Sequence, residues 1–400
     1  MYAVITWLLA VLLCGVVVSL WVPLVLEIAA LVVGWVASSR KAPPGATGHE
    51  SRFLFLVPAH NEEQLIGPCV ASLMAVSYPP EKRRVVVVAD NCDDRTGDLA
   101  EERGAECLRR NDPAKPGKPH AIRWALDRIT DRSWDAVVII DADTTIDPLF
   151  CSVLAKHAPL RDKVIQSYYG SMNEADNWLT RLAGVLARIR YERTYPIKEA
   201  AGLNCPLTGN GMVIGSGVLE QHGWNAFSLT ENWELYADYT ARGIGIRLVN
   251  DAVIHSQEAR ALGQGVTQRK RWLAGRLWVL KRYGLSVLGS RSIGLLQKAD
   301  AITELAFPSP ALQVALAGVV ALAALLVRPL WVGGLIAALA ISSLAGLGVH
   351  TIEVLRTHPE PKQVLKSFLM APGYILWRCG VAMATLLTLG DRRWKKTNRH

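Results

Sequence analysis

The chain opens on an apolar run. From Tyr2 to Ser39 nearly every residue is hydrophobic, and Glu27 is the only charge. One straight membrane span needs roughly 20 residues, so this run is long for a single crossing. Two readings follow: one helix kinked near Pro23, or a tight hairpin turning at Trp21-Val22-Pro23. The absence of a polar turn favours one long helix. No basic residue precedes the run, which argues for a retained anchor rather than a cleaved signal peptide.

From about residue 50 to 290 the pattern becomes that of a soluble domain. Phe53 to Val57, Val85 to Ala89, Cys107 to Arg109 and Ala136 to Ile140 are short apolar runs of the kind buried strands make. Between them Glu63 to Ala75, Thr96 to Arg103 and Pro119 to Ile129 read as helices. Strand alternating with helix predicts an α/β fold, a mostly parallel sheet with helices on both faces. Apolar stretches then return. Ala311 to Val327 and Leu330 to Val349 are expected to be two spans separated by the turn Arg328-Pro329. The stretch Arg356 to Lys366 is polar. Met370 to Leu389 is apolar but carries Pro372 and Arg378. A full crossing there would leave Arg392, Arg393, Lys395, Lys396 and Arg399 outside, against the positive-inside rule. A re-entrant or interfacial segment with Arg378 snorkelling is therefore expected.

Three units result: an anchor over 1–40, a soluble domain over 50–290 and a C-terminal membrane region over 291–400. The net charge of +9 suits an acidic membrane surface or phosphorylated substrates. Its basic residues track the ends of the apolar runs, so a lipid bilayer is the expected partner and nucleic acid is not. Arg40 and Lys41 predict a cytoplasmic soluble domain on an integral protein of the cell inner membrane. Only Glu27 and Arg378 are charges inside apolar runs, too few for a transporter. The seven scattered cysteines, without a Cys-x-x-Cys pair, suggest buried free thiols in a reducing compartment.

Polar clusters sit where the predicted strands end: His60-Asn61-Glu62, Asp90 to Thr96, and Asp141-Ala142-Asp143. Parallel sheets bind ligands beyond those ends. Asp141 and Asp143, on either side of a small residue, can reach one hard cation, Mg2+ or Mn2+. A solvated turn is the alternative. Asp90 can accept hydrogen bonds from a base or ribose, or serve an Asp-rich turn. Lys118, at a helix start, suits phosphate or a solvated basic loop. His255 reads as a structural histidine. Trp178 to Tyr195 reads as a basic amphipathic helix at the membrane surface, or as one covering the sheet.

These clusters, with Thr208-Gly209-Asn210-Gly211, Thr230-Glu231-Asn232 and Gln268-Arg269-Lys270-Arg271-Trp272, occur in one order. That order resembles the family 2 inverting glycosyltransferases with the GT-A fold. The subgroup it is similar to includes cellulose, hyaluronan and chitin-oligosaccharide synthases and ceramide glucosyltransferase-like enzymes. The resemblance covers about residues 50 to 285, and the membrane helices in kind.

The resemblance implies a nucleotide-sugar donor, a UDP-sugar, held by Pro58, His60, Glu62, Asp90, Lys118, Asp141, Gln268 and Arg271. It implies metal binding by Asp141 and Asp143. Gly209, Asn210, Gly211 and Trp272 would line the acceptor side, with Trp272 alternatively a core aromatic. The sequence departs from the family at Asn232, where an Asp commonly takes the acceptor proton. Glu231 is the expected substitute base and Glu234 the alternative. The acceptor is expected to be a polysaccharide or lipid-linked, and few secure spans leave room for a homo-oligomer or an export partner. A non-catalytic sugar-nucleotide-binding subunit is the reading from another class.

Overall fold

A computed structural model describes residues 2–38, 51–307 and 309–388. Arg40, Lys41 and the basic residues from Arg392 to Arg399, on which the orientation argument rested, lie outside the described residues.

The predicted strands form because their side chains are apolar on both faces. β1 (Phe53–Ala59), β2 (Arg83–Asp90), β3 (Glu106–Arg110) and β4 (Ala136–Ile139) lie side by side as β3-β2-β1-β4, all parallel. Leu54, Leu56, Val86, Val88, Val137 and Ile139 face the helices Lys118–Arg128 and Glu231–Arg242. Their neighbours Phe53, Phe55, Val85, Val87 and Val138 face Ile66–Met74 and Phe150–Ala155. Two-sided burial is why the runs are continuous rather than alternating. Each such side chain contributes about 1.5–3 kcal/mol on burial.

The sheet continues through elements the pattern did not reveal. β5 (Thr144–Ile146), β6 (Val164–Ser171), β7 (Met212–Gly215) and β8 (Ile246–Ser256) complete the order β3-β2-β1-β4-β7-β6-β8-β5. β6 and β8 are parallel, whereas β4–β7, β6–β7 and β5–β8 are antiparallel. The sheet is therefore mixed, parallel in its first half.

Residues Tyr2–Ser38 form one helix with Pro23 inside it. At 1.5 Å per residue it is about 55 Å long, more than the roughly 30 Å of a bilayer's hydrocarbon core. Ala10, Leu13, Val17 and Leu20 pack on Ala317, Val320, Ala324 and Ile336, while Trp7, Leu8, Val11 and Leu12 stay exposed. Farther along, Gly34 lies against Ala200, where an added Cβ would come 3.1 Å from the alanine's own Cβ.

The C-terminal spans are shorter than expected. Pro310–Ala324 and Leu330–Ser342 are 15 and 13 residues long. Each is about 20 Å, too short to cross alone. Leu330–Ser342 continues, after a 40° bend, into Ala345–Thr357. Ser342 and Ser343 mark that bend, their hydroxyls donating back to the Leu339 and Ala340 carbonyls, a substitution that bends helices. The described residues hold one helix long and apolar enough to cross a membrane, or up to four spans if each bent pair is one. Ala371–Leu387 meets Pro361–Phe368 at 56°. Arg378 does not snorkel: it is buried and faces an internal cavity.

Helix Trp178–Arg188 starts at an Asn177 cap that accepts from the Leu179 and Thr180 amides. Its apolar face, Leu179 and Leu182, is buried on Ala311 and Tyr374. It joins the sheet domain to the C-terminal helices. Of the seven free cysteines, Cys69, Cys151 and Cys205 are buried, and Cys14 is exposed.

Candidate functional site

β1 and β2 end level with each other, whereas β4 stops at Ile139, opposite Leu56. Pro58 falls where β1 has run past its β4 neighbour, so its missing N–H breaks no ladder there. The two loops that follow are laced together. His60 Nδ1 meets the Asp90 carbonyl at 2.7 Å, the Glu62 amide donates to Thr96 Oγ1 at 2.7 Å, and the Asp93 amide donates to Asn61 Oδ1 at 3.0 Å. Asn61 and Asn91 adopt φ of 52° and 53°, a left-handed conformation that Asn tolerates better than most residues. Asp90 is buried and ion-paired with buried Arg110. It also accepts from the Gly117 amide at 3.1 Å and from Asn91 Nδ2 at 3.0 Å. Its carboxylate thus holds the loop ahead of Lys118 in place.

Lys118 opens helix Lys118–Arg128 and joins three parts of the site. Its ammonium lies 2.6 Å from Asp141 Oδ1 and 3.5 Å from Glu231 Oε1, and donates to the Gly209 carbonyl. Burial works to lower its pKa, but the Asp141 and Glu231 carboxylates outweigh that and hold it above the ordinary lysine value. Asp143 is buried and accepts from Thr144 Oγ1 at 3.2 Å and Ser256 Oγ at 3.3 Å. Beneath this motif Cys69 donates to the Asp141 carbonyl, and burial pushes its thiol up to about 12.

The segment 208–211 is locked to the acidic motif. Asn210 Oδ1 accepts from the Asp141 amide at 3.1 Å, and its Nδ2 donates to Thr144 Oγ1 at 2.7 Å. Gly211 has a φ of +66°, and a Cβ there would sit 2.0 Å from Ser167 Oγ. Only glycine fits that conformation and that space. Buried Gln166 bridges the segment from β6, accepting from the Thr208 amide at 2.9 Å and donating to the Asn210 carbonyl at 2.9 Å. It was not singled out in the sequence, although an amide inside an otherwise apolar strand is a signal. His255 packs over Gly170 on the neighbouring strand β6.

Helix Glu231–Arg242 separates the three candidates at its start. Glu231 faces Lys118. Asn232 turns to the Leu207 carbonyl, donating at 2.8 Å, and lies beside Gly209. Glu234 accepts from the Phe227 and Ser228 amides at 3.0 and 2.8 Å and from Tyr283 at 3.0 Å. Those bonds tie down the 227–230 turn and leave Glu234 outside the Lys118–Asp141–Glu231 group. Gln268, Arg271 and Trp272 share one side of helix Leu262–Gly289, being three and four residues apart. Arg269 stacks over Trp272 at 4.8 Å. The helix comes close because Gly275 meets Thr230, where a Cβ would be 2.3 Å from Oγ1.

A cavity of about 400 Å³ begins at Asp141, Asp143, Asn232, Gln268 and Trp272. It runs between helix Tyr2–Ser38, through Leu24, Glu27 and Ala30, and the C-terminal helices, through Leu347, Tyr374 and Arg378. Arg271 and Glu231 do not line it. The acidic motif and the N- and C-terminal apolar helices therefore line one space.

The probable glycosyltransferase YdaM of Bacillus subtilis is 25% identical over 244 residues, 57% of this chain and 56% of that protein. A beta-monoglucosyldiacylglycerol synthase of Synechocystis is 29% identical over 254 residues, 60% of this chain and 52% of the synthase. The matched part thus spans about half the length of these relatives. Among solved structures, the mannosyltransferase PcManGT of Pyrobaculum calidifontis, in complex with GDP-Man and Mn2+, is similar over 94% of this chain and 99% of its own. Its TM-score is 0.53 at 16% identity, a likeness of fold. The family model for glycosyltransferase like family 2 matches residues 50–275, the segment that carries the mixed sheet, the acidic motif and the start of the Gln268–Trp272 helix. With more than half its length so matched and a GT-A-like sheet, the chain belongs to the family 2 glycosyltransferases.

Proposed function

We propose that this chain transfers a sugar, with inversion, from a UDP-sugar to a lipid acceptor at the cytoplasmic face of the membrane that anchors it. The observation that carries the reading is the cavity, which runs from Asp141 and Asp143 to the N- and C-terminal apolar helices. An amphiphile can keep its tail among those helices while its head group reaches the carboxylates.

The donor set suits a hard divalent cation. Asp141 and Asp143 offer carboxylate oxygens, and no group of three or more His, Cys, Asp or Glu converges among the described residues. Mg2+ and Mn2+ are commonly bound in this way, by one or two carboxylates with substrate phosphates completing the shell. When bound, the metal supplies positive charge to the departing diphosphate. The loops at His60–Glu62 and Asp90 flank the space for the nucleoside, with Pro58 at their root. Gln268 and Arg271 face the diphosphate, and Arg271 offsets charge that develops as it leaves.

Glu231 is the base. Its carboxylate lies 3.5 Å from the Lys118 ammonium, beside Asp141. The acceptor oxygen forms a bond to the anomeric carbon, the bond from that carbon to the diphosphate oxygen breaks, and the hydroxyl proton passes to Glu231. The nucleoside diphosphate leaves with the electron pair. Trp272 and the segment Gly209-Asn210-Gly211 border the acceptor.

The test is to incubate membranes holding the protein with Mn2+ and a panel of radiolabelled nucleotide sugars. Label that extracts into organic solvent supports the proposal. Label retained as polymer assigns a polysaccharide acceptor instead, and no incorporation from any donor favours a non-catalytic subunit.

A further inference from the structure

The lining of the cavity includes three arginines that the transfer reaction does not use. Asp143 in that lining accepts from the Thr144 and Ser256 hydroxyls, and the other carboxylates are engaged as well. Glu27 pairs with His350, Asp141 with Lys118, and Asp300 and Glu304 with Lys198, while Glu258 accepts from Tyr169. Three arginines in the same wall are not. Arg190, Arg269 and Arg378 make no ion pair or hydrogen bond among the described residues, apart from the stacking of Arg269 on Trp272. Arg378 is 9% exposed, and its Nε is buried without a partner. The Nε of Arg269 is buried without a partner as well.

They come from three separate elements. Arg190 stands in a π-helical turn, Ile189–Thr194, a distortion that often marks functional sites. Arg269 stands on Leu262–Gly289 and Arg378 on Ala371–Leu387. All three line the same cavity, so like charges share one partly enclosed space. Such a cluster is costly unless an anion completes it. Guanidinium groups match a phosphate in geometry and charge.

We infer that Arg190, Arg269 and Arg378 form a phosphate-binding subsite that grips the head group of the acceptor, making the preferred acceptor an anionic, phosphate-bearing lipid with a free hydroxyl. The subsite rests on the lipid-acceptor reading and adds to it: the tail lies among the helices, the phosphate on the arginines, and the hydroxyl toward Glu231. It also distinguishes this acceptor from an uncharged diacylglycerol.

The experiment uses the full chain purified in a neutral maltoside detergent. Phosphatidylglycerol, diacylglycerol of the same chain length and inorganic phosphate are titrated separately, with bound lipid counted by native mass spectrometry. Phosphatidylglycerol is expected to bind at least about tenfold more tightly than diacylglycerol, the size of one or two charge-assisted contacts. Arg378→Gln and Arg269→Gln should each remove that preference, Arg378→Lys should restore part of it, and Arg328→Gln on a distant turn should leave it unchanged. A monodisperse elution profile checks that each variant folds. Equal affinity for the two lipids, or a preference that survives both glutamine variants, overturns the subsite. Inorganic phosphate binding as tightly as phosphatidylglycerol overturns its assignment to a lipid head group. Diacylglycerol glycosylated without arginine dependence would sink this inference and leave the lipid-acceptor proposal standing. Arginine-dependent phosphatidylglycerol binding with no lipid ever glycosylated would keep the phosphate subsite and overturn the lipid-acceptor proposal, and with it the subsite's role in acceptor choice.

Discussion

The two ends of the site are built on opposite plans. At the sheet end, buried charge meets its partner within the protein: Asp90 holds Arg110, and Glu234 holds a turn and Tyr283. At the membrane end, Arg378 and Arg269 are left open beside Trp272 and Tyr374. The first plan sets geometry before any ligand arrives. The second keeps a demand that the ligand itself satisfies. In the function proposed above, preorganisation serves the donor, whose transferred bond must be placed accurately, and adaptability serves the acceptor.

The contrast can be broken at several points. Glu231→Gln should cost the most, slowing turnover by about 10²–10⁴-fold, the usual contribution of a general base. Donor affinity, measured by calorimetry, should hardly change, and near-normal turnover would remove Glu231 from the chemistry. Next comes Arg110→Met, which leaves the buried Asp90 without its cationic partner. Breaking a buried pair in this way costs about 3–5 kcal/mol, read by denaturant titration, and a loss below about 1 kcal/mol would show that the sheet end is not closed by that pair. Glu234→Ala strips two amides and a phenol of their acceptor and should cost about 1–3 kcal/mol. Its turnover should follow the folded fraction. A collapse of turnover in fully folded protein would instead make Glu234 the base.

A smaller effect concerns pH. His120 stacks on Phe227 at 5.1 Å. Burial first, then Arg110 and Lys115, holds its pKa below the ordinary histidine value. The unfolded chain therefore binds the proton more readily. Stability from this group is full above about pH 6.5 and is lost as pH falls through the lower folded value. His120→Phe should flatten that part of a melting-temperature profile, and an unchanged slope would reject the assignment. Smallest of all is Arg378→Met in lipid-free detergent. Removing an unpaired buried charge should leave the melting temperature unchanged or slightly higher, whereas a clear drop would mean that the membrane end is closed as well.

The parallel half of the sheet was legible because Phe53 to Val57 and Val85 to Ala89 are buried on both sides and read as unbroken apolar runs. β7 is only four residues long, and β8 alternates buried with exposed positions around Asn250 and Asp251. Neither produces such a signal. The carboxylates Asp90, Asp141 and Asp143 were legible because strand ends are close to them in sequence. Arg190 and Arg378 were not, since only the packing of Trp178–Arg188 against the C-terminal helices brings them to one cavity. The bend after Ser342 was missed for a local reason: paired serines in an apolar stretch break its axis without breaking its hydropathy.

Gly34 carries a practical consequence. Its contact with Ala200 makes the N-terminal helix a wall of the cavity rather than a leash. A truncated catalytic domain prepared for solubility would keep the nucleotide loops and lose the side of the chamber formed by Leu24, Glu27 and Ala30. Such a fragment would serve well for screening donors and would mislead any search for the acceptor.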